Sequence, residues 1–211
     1  MSPLACGGAT KVLGDGGAGI WYSWLMGGLK AFAAELAGTF ALTLAGAGAL
    51  CLDSATGGRL GPMGVALAYA AATATVFHSF PAAVGRFNPA LALAELTLQR
   101  TSVPRGVVAL AAQLLGAACA GLFLSAALSG GRPDLLGEPA FLGACAPIAV
   151  GYRAATLVEA VATFFLACAV FAADGRRARH MGPVSIGAAT LFGALIAGPL
   201  TGGALNPARA F

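Results

Sequence analysis

The sequence predicts an all-α membrane protein built as an inverted repeat, and three observations carry that reading. Of its 211 residues, 58% are hydrophobic and only 9% are charged, too little charged surface for a soluble domain of this size. Uncharged or nearly uncharged runs cover residues 31–52, 62–85, 106–131, 154–173 and 181–208, each long enough for the roughly 20 residues that a bilayer core requires. The tripeptide Asn-Pro-Ala stands twice, at Asn88-Pro89-Ala90 and at Asn206-Pro207-Ala208, both times inside an apolar context of membrane length.

Residues 1–29 read as a flexible amino-terminal tail. They are Gly-rich and interrupted by Lys11 and Asp15, so they lack the apolar core of a signal peptide. Trp21, Tyr22 and Trp24 gather just ahead of the first apolar run, where aromatic side chains sit at the headgroup level.

Residues 30–130 form the first repeat. Its first span holds Gly46-Ala47-Gly48, read as close helix packing rather than a nucleotide loop. A second helix is expected from Gly61-Pro62. Asn is a favoured N-cap and Pro is favoured at the first helical position, so Asn88-Pro89 reads as the head of a helix. That helix has eleven mostly apolar residues to Leu98 before the chain turns at Gln99-Arg100, about 16 Å at the helical rise and half a membrane. It is thus a re-entrant half-helix, tolerable where its backbone is buried or lines a cavity. A third span, containing Gln113 and Gly116, closes the repeat.

Residues 131–150 are expected as a connecting extracellular loop, and 151–211 as the second repeat. Val158-Glu159-Ala160-Val161-Ala162-Thr163-Phe164 echoes Ala34-Glu35-Leu36-Ala37-Gly38-Thr39-Phe40. A helix from Gly182-Pro183 then leads to the second Asn-Pro-Ala. Three spans per repeat turn the second copy upside down, and such repeats place functional sites at broken helices near the midplane. The reading gives five full transmembrane helices and two re-entrant half-helices. The second half-helix is cut short and a sixth helix is missing, so the second repeat is expected to be incomplete at its carboxyl end, as a fragment or a truncated product.

Charge sets orientation and excludes function classes. With the amino terminus inside, Lys11, Lys30, Arg86, Arg100, Arg105, Arg176, Arg177 and Arg179 fall on the cytoplasmic side, against Arg59, Arg132, Arg153 and Arg209 on the other. The net charge of +4 thus reflects topology and calls for no nucleic acid. Cys6, Cys51, Cys119, Cys145 and Cys168 show no metal or redox spacing and read as inert thiols. His78 and His180 have no Cys, Asp or Glu at metal-ligand spacing. With no nucleophile, base or metal set apparent, an enzyme is not expected, nor is a cofactor.

Two half-helices meeting head to head would bring two positive dipole ends to the centre of a pore, repelling cations while Asn88 and Asn206 offer side-chain amides to a neutral molecule. Arg209 is a charge deep in an apolar segment, which is expensive and functional by default. Glu35 and Glu159 are intramembrane carboxylates, read as static supports rather than a proton relay.

These features resemble the aquaporin and glycerol-facilitator family of major intrinsic proteins, over about residues 30–211. The resemblance rests on the two motifs, the run from Thr201 to Arg209, and Glu35 and Glu159 in their repeated contexts. It implies an aquaporin-like fold and a passive channel for water and small uncharged solutes that excludes ions and protons. It also implies a homotetramer with one pore per subunit, embedded in a lipid bilayer. By resemblance, the selectivity filter comprises Arg209, Gly203, Ala194 and either Ala68 or Tyr69. The carbonyls of Gly85, Arg86 and Phe87 and of Gly203, Ala204 and Leu205 would face the pore, with Glu35 and Glu159 holding the two loops. Pro89 and Pro207 preset the first helical turns, and Ala90 and Ala208 let the two ends touch. No aromatic ring and histidine narrow positions 194 and 203, which suits solutes larger than water, whereas Ala210 stands where glycerol conductors carry Asp.

Arg86 replaces the family's usual histidine, and Glu95, nine residues on, is expected to be too distant to pair with it. The alternatives are a glycerol or metalloid-hydroxide facilitator, a non-conducting truncated channel-like subunit, and a secondary transporter. The charge pattern fits a bacterial inner membrane or a plasma membrane, with the amino terminus cytoplasmic.

Overall fold

A computed structural model describes residues 16–81, 83–129, 141–147, 150–174 and 181–210. The regular elements among them are all helical: α1 Gly16–Ala55, α2 Gly61–Ser79, α3 Pro89–Thr97, α4 Val103–Ser129, α5 Tyr152–Ala173, α6 Gly182–Thr201 and α7 Pro207–Ala210, with one 3-10 turn at Phe141–Gly143. Four stretches, Gly27–Ala55, Val103–Leu128, Tyr152–Ala173 and Gly182–Thr201, are long and apolar enough to cross a membrane. α2, of 19 residues, carries Tyr69, Thr73, Thr75 and His78 among its apolar side chains and is the counterpart of α6 in the first repeat.

α1 is continuous from Gly16, so residues 16–29, expected to be tail, extend the first helix instead. Residues 20–26 supply a glycine-free apolar run, and adding a turn to an existing helix costs far less than starting one. Residues 1–15 and most of the expected 131–150 loop lie outside the described residues.

Within each repeat the first helix packs on the second, α1 on α2 and α5 on α6; α4 lies along α1, and α2 packs against α6 across the two repeats. Small residues make these approaches possible. A Cβ at Gly116 in α4 would overlap the Leu36 carbonyl of α1, and one at Gly187 in α6 would lie 2.9 Å from the Ala70 carbonyl of α2. The outward faces stay apolar: on α5, Leu166 and Val170 point inward and are buried while Leu157 and Phe164 are exposed, the division expected where the outer solvent is lipid.

The repeat is legible in the packing just before each Asn-Pro-Ala. Phe87 is buried over Gly38 of α1 and Val76 of α2; Leu205 is buried over Ala162 of α5 and Gly193 of α6. The larger ring rests on the glycine of the first helix and the smaller side chain on an alanine there, so the two halves fill equivalent space with exchanged sizes. Phe87 gains edge-on ring contacts to Phe77 and Phe80, with centroids 5.2 and 6.2 Å away.

Two glycines of α4 should separate packing from propensity. Gly116→Leu is expected to cost about 1–3 kcal/mol through overpacking and to lower the melting temperature in detergent. Gly121→Leu, with nothing within 4 Å of its Cβ position, should leave it unchanged or raise it. Thermal unfolding of the two variants, monitored by size exclusion, checks the difference.

Candidate pore

Both loops ahead of the motifs use left-handed backbone. Arg86 and Phe87 each have φ of 59° in the first loop. In the second, α6 is capped by Gly202 at φ 88°, followed by Gly203 at 61° and Leu205 at 51°. Non-glycine residues there cost about 1–2 kcal/mol each, so something must hold the loops. Two carboxylates do so, Glu35 fully buried and Glu159, expected to be buried, only half-buried because its α5 face is partly exposed. Glu35 accepts from the Gly85 N–H, from the Phe87 N–H at 2.9 Å and from Gln113 Nε2 at 2.8 Å. Glu159 accepts from the Ala204 N–H at 2.9 Å, the Leu205 N–H at 2.8 Å and the Thr201 hydroxyl.

The motifs themselves are helix starts. Asn88 sits extended at φ −151°, and its Oδ1 accepts from the Ala90 N–H at 2.9 Å; Asn206 Oδ1 accepts from the Ala208 N–H at 3.0 Å. These are N-caps followed by Pro at the first helical position. α3 then runs nine residues to Thr97, about 14 Å, and the chain turns at Gln99, φ 55°. The free side of each amide crosses to the other repeat. Asn88 Nδ2 donates to the Leu205 carbonyl at 2.8 Å, and Asn206 Nδ2 donates to the Phe87 carbonyl at 2.8 Å. One N–H of each amide is thereby engaged and one remains.

The carbonyls differ from expectation in a specific way. Four of the six expected to face a pore accept from protein donors: Gly85 from Gln113 Nε2 at 3.0 Å, Phe87 from Asn206 and the Thr39 hydroxyl, Leu205 from Asn88, and Ala204 from the Tyr69 hydroxyl at 2.9 Å. Gly85, which also accepts from the Asn88 N–H, and Phe87 have both lone pairs engaged, whereas Ala204 and Leu205 accept one bond each and keep a second lone pair.

Beside this midpoint lies a cavity of about 180 Å³ lined by Leu50, Asp53, Tyr69, Ala194, Gly203 and Arg209, among others. Arg209 is 4% exposed. Its guanidinium carbon lies 5.2 Å from the Tyr69 ring centroid, inside cation–π range, and a Cβ at Gly46 would overlap its Nε. Of the two alternatives from α2, Tyr69 stands against Arg209, and Ala68 does not line the cavity. Arg209 Nη1 donates to Cys145 Sγ. Cys145, expected to be inert, is therefore in polar contact with Arg209, the arginine expected in a selectivity filter. It arrives on the segment after the 3-10 turn, and nothing in its sequence spacing marked it.

Arg86 is not free, and its separation from Glu95 along the chain misleads. The left-handed turn at Arg86 and Phe87 folds the loop back over α3, bringing Arg86 Nε to 3.1 Å from Glu95 Oε1. Arg86 Nη2 also reaches Asp174, just past α5, with oxygens at 2.9 and 3.1 Å. Arg100 shares Asp174 at 3.0 Å and stacks over Phe171 at 4.9 Å.

The model of the major intrinsic protein family matches residues 22–211. The chain belongs to the major intrinsic protein family. Membership makes it an integral membrane protein. It is 33% identical over 182 residues to the rice aquaporin NIP1-2, covering 83% of this chain and 58% of that protein. It is 36% identical to the maize aquaporin TIP4-4, covering 88% of this chain and 74% of that one. The chicken lens fiber major intrinsic protein is 36% identical, with 86% and 68% covered. The chain thus spans about three fifths of the length of the first of these relatives. Among solved structures, the Plasmodium falciparum aquaglyceroporin superposes with a TM-score of 0.76 at 22% identity, over 87% of this chain and 78% of that one, a likeness of fold.

Glu35→Ala would orphan the N–H groups of Gly85 and Phe87 and one N–H of the Gln113 amide, whose other bond to the Gly85 carbonyl remains; at about 1–3 kcal/mol for each buried orphan, the loss should reach about 3 kcal/mol or more. Asp174→Ala removes only partly exposed ion pairs and should cost under about 1 kcal/mol. Thermal melts of both variants in the same detergent test the ranking.

Proposed function

We propose that this chain forms a passive transmembrane pore for water and small uncharged solutes that excludes ions and protons. The observation that carries the reading is the head-to-head meeting of α3 and α7, whose capping asparagines each hold a carbonyl of the opposite repeat. Both helix starts direct their positive ends to one point, and the remaining amide N–H of each asparagine is a donor there. A molecule passing that point accepts hydrogen bonds and cannot donate its own hydrogens onward, which interrupts proton hopping along a water file.

Arg209 adds a full positive charge near the same path. At an effective dielectric of about 20, a cation 5 Å from it meets about 3 kcal/mol of repulsion, a suppression of about two orders of magnitude. Ala194 and Gly203 contribute no bulk to the wall facing Arg209 and Tyr69. The wall's small residues favour passage of neutral solutes such as glycerol or metalloid hydroxides beside water, a second reading on which the names of the relatives divide between aquaporin and aquaglyceroporin. The mechanism uses no covalent chemistry, so the protein acts as a channel and not as an enzyme. The distribution of basic residues supports a cytoplasmic amino terminus, and the exposed apolar faces of α5 and α6 suit lipid and a homotetramer with one pore per subunit.

Stopped-flow light scattering on proteoliposomes tests the function. Shrinkage in an impermeant osmolyte should exceed that of empty vesicles several-fold with a low activation energy, and re-swelling in glycerol reports solute passage. Rates equal to empty vesicles would refute the reading. Arg209→Val should keep water flux while raising sodium leak by at least tenfold, read with a sodium-sensitive dye inside the vesicles.

A further inference from the structure

Arg209 is buried, yet no carboxylate among the described residues forms an ion pair with it; the ion pairs there join Arg86 and Arg100 to Glu95 and Asp174. Asp53 lines the same cavity, but its Oδ1 accepts from the Gly61 N–H at 2.8 Å. The acceptor that does face the guanidinium is a sulfur, Cys145 Sγ on Nη1, while Arg209 Nε is buried without a hydrogen-bond partner. Sγ is itself seated closely: a Cβ on Gly202 would lie 3.1 Å from it.

We propose that Cys145 is a specificity-determining residue of the constriction, holding Arg209 in place with an acceptor that carries no charge and withdrawing one guanidinium donor from the permeant. This rests on the pore reading above. Burial pushes the Cys145 thiol up from its ordinary value, outweighing the pull of the Arg209 charge in the other direction, so at neutral pH the group is a thiol and not a thiolate. A carboxylate at this place would fix the arginine more tightly but cancel the charge that repels cations. A thiol sulfur is a weak acceptor. It orients the guanidinium, leaves its charge whole and presents a bulky, weakly polar surface. A polyol, which needs several donors to replace the water it sheds, finds fewer of them than an unoccupied guanidinium would give.

The test is flux selectivity in proteoliposomes of the full chain and three variants, each first shown to be folded by its melting temperature and elution volume. Cys145→Ala removes the acceptor and the sulfur volume, and should raise the ratio of glycerol to water permeability at least threefold. Cys145→Ser returns an acceptor and should bring the ratio back toward the unsubstituted value. Cys145→Asp should raise sodium leak at least tenfold. Cys119→Ala, on an exposed face of α4, is the control. A Cys145→Ala ratio equal to the control's overturns the proposal.

A second measurement needs no substitution. Methyl methanethiosulfonate reacts with the deprotonated Cys145 sulfur, which forms an S–S bond to the S-methyl group and expels methanesulfinate, the thiol proton passing to buffer. Water permeability should fall in proportion to the labelled fraction of Cys145 read by peptide mass spectrometry, and recover with dithiothreitol. Full labelling with unchanged flux overturns the proposal while leaving the pore reading intact. Unsubstituted protein with no flux above empty vesicles overturns both.

Discussion

Everything else in this fold is arranged around two exchanged hydrogen bonds, Asn88 to the Leu205 carbonyl and Asn206 to the Phe87 carbonyl. Each asparagine does two jobs with one amide. Its oxygen caps its own half-helix, worth about 1 kcal/mol, and its nitrogen binds the backbone just ahead of the other half-helix. The bonds are reciprocal, so neither loop can be placed without the other. This explains why the residues before the asparagines, Phe87 and Leu205, are among the most buried in the chain. They must sit firmly for their carbonyls to be in reach.

The exchange also requires both loops to hold conformations that L residues avoid, and that requirement passes outward to the acids. Glu35 and Glu159 each bind two loop N–H groups plus one side-chain donor. A buried carboxylate such as Glu35 would be very costly without partners, and with three donors each acid becomes an anchor. The two anchors are not copies. Glu35 grips alternate residues, 85 and 87, and is backed by Gln113 from α4; Glu159 grips the adjacent pair 204 and 205 and is backed by Thr201 at the end of its partner helix. The repeat preserves the function of the acid while its supporting donor comes from a different element.

What the sequence made legible was local or compositional. The N-caps, the proline at the first helical position, the half-membrane length of α3 and its turn at Gln99 all depend on residues within a few positions of one another. The paired acids were legible because the same four-residue Glu and Thr spacing occurs twice. The Arg86 to Glu95 ion pair was not, because nine residues of straight helix separate such groups widely while the backbone here reverses at two positive φ angles. Tyr69 against Ala68 is a one-residue register choice that only the packing of α2 on the second loop resolves, through the Tyr69 hydroxyl on the Ala204 carbonyl. Cys145 was illegible for a simpler reason. It reaches Arg209 from 64 residues away in sequence, on a segment without helical periodicity, so no spacing rule connects the two.

The two arginines flanking the motifs meet opposite partner chemistry. Arg86, two residues before Asn88, meets two carboxylates and shares one of them with Arg100, so the four groups sum to zero and leave little net field there. Arg209, three residues after Asn206, meets a neutral sulfur and the face of a tyrosine, neither of which cancels its charge. Desolvating an unpaired guanidinium is expensive, and the fold offsets that expense with a weak acceptor, a ring quadrupole and the space left by Gly46 rather than with a counter-ion. The uncancelled positive charge therefore lies at the Arg209 end and the helix starts, and the Arg86 end ties the first loop to the end of α5. A single change of partner chemistry at Arg209 would alter the local field without moving a helix, whereas the same change at Arg86 would loosen a strap and leave the field almost as it was.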